Sequence, residues 1–253
     1  MPSPRTYHAS CLVNKYMVTV GGEANSDLKD FWAFDLDSQM WFQPELEFHD
    51  FYTPKRFHTL NTISDYQVVS FGGCHSEYAH LNEMHIFDMS NFLADPICPE
   101  NKVIVTRINI TEGVPSTRWG HAAATNDGKL YILGGRNDQD ICDLHEFDPT
   151  EKKWREIAIA DPKPKPRRRH SVQFVCGSLV MFGGFDGNFF DDLHILDMQT
   201  KDKSSISVPR STLAEDYLTL VNSAESADII FELNDSNKTQ IYGHRALILF
   251  RLM

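Results

Sequence analysis

The stretch Tyr131-Ile132-Leu133-Gly134-Gly135 decides how this chain is read. An apolar run breaks on two adjacent glycines. The same event recurs at Met17-Val18-Thr19-Val20-Gly21-Gly22, Val68-Val69-Ser70-Phe71-Gly72-Gly73 and Val180-Met181-Phe182-Gly183-Gly184. The four doublets fall about 50 to 60 residues apart, a period typical of repeated structural units.

Working outward from each doublet, the flanks repeat as well. A histidine precedes it at His8, His58, His121 and His170, and three positions earlier stands a base, Arg5, Lys55, Arg118 or Arg167. An aspartate follows it at Asp35, Asp88, Asp148 and Asp197, each behind an apolar residue: Phe34, Phe87, Phe147 or Leu196. Trp41 and Trp154 close two of the units. Short β-rich runs, in the first unit His8–Val13, Tyr16–Val20, Phe31–Asp35 and Met40–Gln43, are separated by Gly, Asn and Asp, which signals hairpins. Glycine pairs at the ends of such runs suit a sharp turn in a crowded centre.

This register resembles the kelch repeat over residues 4–209. The resemblance implies an all-β, kelch-type β-propeller with four blades of four antiparallel strands, at about 4–47, 54–113, 115–160 and 164–209. The segment Ala94–Gly113, with its alternating strand Val103–Ile108, accounts for the longer second unit, and Ser205–Val208 is the weak last strand of the fourth. Kelch rings commonly hold about six blades, within the general ~4–8 of propellers. The ring is therefore expected to be incomplete, with one or two blades upstream; a closed four-blade ring is the other reading.

Beyond Pro209 the period changes. Thr212-Leu213-Ala214-Glu215 has the form of a capping box, and Leu213, Tyr217, Leu220 and Val221 share a helical face. Strands are expected at Ile229–Leu233 and Thr239–Tyr242, then a helix from His244. The series Asp228-Ile229-Ile230-Phe231 … Gly243-His244-Arg245-Ala246-Leu247 resembles the start of a BTB/POZ domain, with Gly243 where that family usually has alanine. A complete domain of that kind needs ~100 residues, so 210–253 reads as a linker helix and a truncated N-terminal segment.

Composition narrows the function. The net charge of −11 opposes binding to nucleic acid, and no run reaches the ~20 apolar residues of a membrane span. Cys11, Cys74, Cys98, Cys142 and Cys176 are scattered without CxxC spacing, which suits reduced thiols and a cytoplasmic or nuclear location. No zinc-ligand cluster, P-loop, GxSxG or HExxH occurs. The four repeat histidines are expected to fix the turns by hydrogen bonds, not to bind metal. No cofactor and no catalytic residue is expected. Lys163–Arg169 reads as a solvated loop, with nuclear import or an anionic partner as the alternative.

Recognition is expected on the loops, which vary while the scaffold stays rigid. In propellers that resemble this one, the loops after each doublet and those leading into the first strands converge on one face. Here they supply Glu23, Asn25, His75, Glu77, Arg136, Asn137, Asp138, Phe185, Asp186 and Asn188, joined by Tyr7, Trp119 and Arg168 as aromatic and guanidinium anchors. The resemblance implies an adaptor whose propeller holds a client protein and whose BTB domain, when complete, recruits a cullin-type ubiquitin ligase. A cytoskeletal or trafficking scaffold holding actin or a GTPase partner is the second reading, and a metal-dependent oxidoreductase the remote third.

Overall fold

A computed structural model describes residues 1–76, 79–98, 100–110 and 112–198, and the backbone of three strands at 205–208, 229–232 and 240–243. The chain divides into two units, Met1–Ile206 and Ser207–Met253. In the first, each glycine doublet belongs to one antiparallel sheet.

Blade 1 pairs β1 (Ala9–Val13), β2 (Tyr16–Val20), β3 (Phe31–Asp35) and β4 (Met40–Phe42) in sequence order. Blade 2 contains β6 (Thr59–Ser64), β7 (Gln67–Phe71), β10 (Met84–Asp88) and β11 (Val103–Arg107), with β5 (Leu46–Phe48) added outside β11. That fifth strand runs parallel, Leu46 opposite Val103. It comes from residues that read in sequence as the tail of the first unit. A small hairpin, β8 (Cys74–His75) with β9 (Ala79–His80), follows the second doublet, and a short helix, α1 (Ser90–Ala94), lies between β10 and β11. Blade 3 pairs β12 (Ala122–Asn126), β13 (Lys129–Arg136), β14 (Asp140–Asp148) and β15 (Lys153–Ile157). Blade 4 pairs β16 (Ser171–Val175), β17 (Ser178–Phe182), β18 (Leu193–Asp197) and β19 (Ser205–Val208). These are four propeller blades, as the spacing implies.

The core lies in the seams between blades, because strand alternation sends successive side chains to opposite neighbours. Val18, Val20, Phe31 and Ala33 of blade 1 pack with Leu60, Val68, Phe87 and Val105 of blade 2. The next residue along, Val69, turns with Phe71 and Met84 to the other side, against Leu130, Ile132, Phe147 and Trp154. Tyr131, Leu133 and Leu144 then meet Val172, Leu179, Met181 and Leu196. The two closing tryptophans differ. Trp154 is 3% exposed in its seam, whereas Trp41 is half-buried on the outer face of blade 1 against Phe34 and Trp32. Blade 2 has no such Trp; Phe92 of α1 is buried instead, edge-on to Tyr16 and Phe42 of blade 1.

The doublets serve these seams. Gly134 and Gly135 have φ of 62° and 100°. A Cβ on Gly134 would lie 2.9 Å from Cε1 of His170 in the next blade, and one on Gly135 would lie 2.8 Å from Cβ of its own blade's His121. Gly21 with His58 and Gly72 with His121 repeat the first contact. The repeat histidines thus pack against the doublets of the preceding blade. His121 Nε2 meets Thr59 Oγ1 at 3.0 Å, and the buried His58 and His170 rings interact with the backbone of Val20 and Leu133 in the preceding blade. Burial lowers His58 to about 3 and His170 to about 4, with Lys55 and Arg167 adding to the effect.

The repeat aspartates cap turns. Asp35 Oδ1 accepts the amides of Asp37 and Ser38, and Asp148 Oδ1 those of Thr150 and Glu151. In the second unit, β20 (Ile229–Glu232) pairs antiparallel with β21 (Gln240–Gly243), Ile229 opposite Gly243. The helices expected near 212–221 and from His244 lie outside the described residues.

Candidate functional site: the loop face

The segments leading into the four first strands are stitched by the backbone. Phe57 donates its amide to Tyr7 O at 3.0 Å, Gly120 to Phe57 O at 3.0 Å, and Arg169 to Gly120 O at 2.6 Å. All four residues have φ between 56° and 60°. This left-handed conformation is uncommon for bulky side chains, and here it turns three of them onto one surface. Tyr7 and Phe57 stack at 3.9 Å, and Phe57 tilts against Trp119 at 5.1 Å. The Arg169 guanidinium lies 4.9 Å from the Phe57 ring, 5.6 Å from Trp119 and 5.9 Å from Tyr7. Arg169 is exposed, and among the described residues no carboxylate pairs with it.

The loops after the doublets sit directly beside these segments. Bridges join Thr6 to Glu23, Arg56 to Cys74, Trp119 to Arg136, and Arg168 to Phe185. The sequence-chosen Trp119 and Arg136 are therefore neighbours, as are Arg168 and Phe185. Several of the chosen residues are already engaged. Glu23 pairs across the seam with Arg56. Arg168 reaches both oxygens of Asp140 at 2.6 and 2.8 Å, Arg136 reaches the same carboxylate at 3.1 Å, and the Arg168 guanidinium lies 4.8 Å from the Phe185 ring. His75 Nδ1 is 2.9 Å from Pro54 O and 3.4 Å from Asp27. Asn137 and Asp186 cap their own turns through Gln139 and Asn188 amides. Asn25, Asp138 and Asn188 stand exposed at loop tips, and Phe189, 89% exposed, leans on Phe185. Glu77 lies outside the described residues.

Sequence reasoning missed Phe57, Arg169 and Phe189. The usable signal was the residue directly before each repeat histidine: Tyr7, Phe57, Gly120 and Arg169. It also missed the partners of the repeat bases. Arg118 forks onto Asp143 at 2.5 and 2.8 Å and donates to Gly134 O at 3.0 Å. Arg5 with Asp30 and Gly21, and Arg167 with Asp192 and Gly183, repeat the arrangement. Burial pushes Asp143 up, but the Arg118 and His145 bonds outweigh it and hold the carboxyl far below the usual range. These forks lock each loop face to its own sheet.

Among the described residues, no group of three or more His, Cys, Asp or Glu side chains is placed to hold a metal ion, and no helix is long and apolar enough to cross a membrane. All five cysteines are free. Four-stranded blades, seams packed by glycine and histidine, and loops gathered beside an aromatic and arginine surface define a kelch-type propeller. The chain belongs to the KLHDC2/KLHL20/DRC7 kelch-repeats domain family, whose pattern matches residues 1–172 and 50–217. It is 28% identical to human Kelch domain-containing protein 3, over 92% of this chain and 63% of that protein. It is 27% identical to Acyl-CoA-binding domain-containing protein 4 of Arabidopsis thaliana, over 80% of this chain and 31% of that one. The Leucine-zipper-like transcriptional regulator 1 homolog of Drosophila melanogaster matches at 24%, over 99% of this chain and 25% of its own length. The chain thus spans less than two thirds of these curated relatives.

Proposed function

We propose that this chain is the client-binding propeller of a non-enzymatic adaptor or scaffold protein, and that a client peptide docks on the surface made by Tyr7, Phe57, Trp119 and Arg169. The observation carrying this reading is the exposed Arg169, its guanidinium over three rings and without a carboxylate partner among the described residues. Aromatic and arginine anchors on a rigid base lose little freedom on binding and dominate contact energies. The engaged pairs Glu23–Arg56 and Arg168–Asp140 hold the base, and the tips at Asn25, Asp138 and Asn188 supply the variable rim.

The adaptor reading extends to recruitment of a cullin-type ligase through a completed BTB domain, in the cytoplasm or nucleus. The strand pair at 229–232 and 240–243 falls where that resemblance expects one. Co-purification from cells, with this chain and with any longer natural form as bait, tests it. A client lost on Arg169→Ala together with a retained cullin supports the adaptor. A client without any cullin supports the scaffold reading, with actin or a GTPase as the first partners to probe. A client retained unchanged by Arg169→Ala and Trp119→Ala overturns the proposed surface.

A further inference from the structure

Three blades secure the segment leading into their first strand with an Arg–Asp fork. Blade 2 has Lys55 and Glu83 there, with Nζ 3.9 Å from Oε2. Lys55 is fully buried. Its ammonium sits 4.8 Å from the Tyr52 ring, which meets His85 edge-on at 4.8 Å. His85 lies across the strand pair from Ser70 on β7. Lys55 Nζ, Glu83 Oε2 and His85 Nδ1 are buried without a hydrogen-bond partner among the described residues, while the buried Tyr52 and Ser70 hydroxyls beside them interact with each other. From β11, Arg107 approaches Glu83 at 3.7 Å, and His58 on the segment itself is held neutral by burial and by Lys55. His85 Nε2 lies 3.3 Å from Phe51 O. On the blade 1 side, Asp30 is committed to Arg5. A buried ammonium with one loosely placed carboxylate is poorly compensated.

This weak point is tied to the loop face. The Lys55 carbonyl accepts the Gly22 amide at 2.9 Å, and the next two residues are Arg56, paired with Glu23, and Phe57, stacked on Tyr7. We propose that the segment 53–58 is a proton-sensitive latch, shut while Lys55 is neutral and released more readily when Lys55 is charged, so that Phe57 and Arg56 loosen together.

Burial lowers the Lys55 ammonium to about 8; Glu83 pulls it up and Arg107 pulls it down. A released segment exposes an ordinary lysine, near ~10.4. Between those values the closed form holds fewer protons than the open one, so closure strengthens as pH rises through that window. From pH 7 to 9 the expected gain is about tenfold.

Hydrogen exchange on the whole chain, corrected for intrinsic rates, tests this. Protection at residues 55–58 is expected to rise about tenfold between pH 7 and 9, while the Arg-held segments 118–121 and 167–170 stay level. Lys55→Met removes the response. K55R/E83D, which rebuilds the fork of the other blades, also removes it and decides the matter if Lys55→Met does not fold. A flat profile at 55–58, an equal response in all three segments, or a response that survives K55R/E83D overturns the latch.

Discussion

Phe57 stacks its ring on that of Tyr7, centroids 3.9 Å apart, while donating its amide to the Tyr7 carbonyl. One residue thus joins two blades through backbone and side chain at once, on the surface proposed for the client. Arg169→Ala should test that surface cleanly. Both residues bear the same left-handed backbone, so the melting temperature should hardly move. Client affinity should fall roughly 30-fold, the ~2 kcal/mol of a central anchor, read by interferometry with Lys153→Ala on β15 as a neutral control.

The buried forks should dominate stability. Asp143→Asn leaves the fully buried Arg118 without its carboxylate, and breaking such a pair costs ~3–5 kcal/mol. Urea denaturation should show this as a lower midpoint. Arg155→Ala, which removes an exposed pairing with Glu151, should cost under ~0.5 kcal/mol. Equal losses in the two variants would contradict the assignment.

Acid should act first on the seam histidines. His58 and His170 have folded values near 3 and 4, and His121 also lies well below the ordinary 6.5. The unfolded chain therefore binds more protons than the folded one below pH 6.5, and stability falls as pH drops from there toward 4. In mid-window each histidine contributes about 1.4 kcal/mol per pH unit. His170→Asn should reduce the slope of unfolding free energy against pH by about one proton. An unchanged slope would mean His170 is charged in the fold.

Glycine substitutions separate backbone strain from seam packing. Gly187 has φ of 128° and nothing within 4 Å of where a Cβ would stand, while a Cβ on Gly134 would meet His170 and the Arg167 carbonyl at 2.9 and 3.0 Å. Gly187→Ala should cost ~1–2 kcal/mol. Gly134→Ala adds a collision between blades and should cost clearly more, seen as a larger drop in melting temperature.

Phe92 plugs the seam between blades 1 and 2 at 1% exposure. Phe92→Ala should cost ~3–5 kcal/mol. Phe92→Leu, which retains most of the volume, should recover a good part of that in the same denaturation assay.

Much of the blade pattern was legible because it repeats in local chemistry. A glycine pair closing an apolar run, a histidine ahead of it and an aspartate after it are each visible in the chain. The partners of Arg5, Arg118 and Arg167 were not. Asp30, Asp143 and Asp192 sit among other loop acids, and only the reach of a buried guanidinium singles them out. Leu46 and Glu47 fall in the first unit by sequence, yet they pair with blade 2, since a short strand carries no mark of which sheet edge will accept it.

What the sequence determined by itself is the unit: its period, its strands and its glycine pairs, because backbone sterics and alternating burial act within a few residues. What tertiary structure decided is the surface proposed for the client. Tyr7, Phe57, Gly120 and Arg169 have no common residue type that would mark the position in sequence, yet they are brought into one line. Hydrogen bonds between successive blades fix them in the same backbone conformation, and those bonds exist only once the blades are side by side.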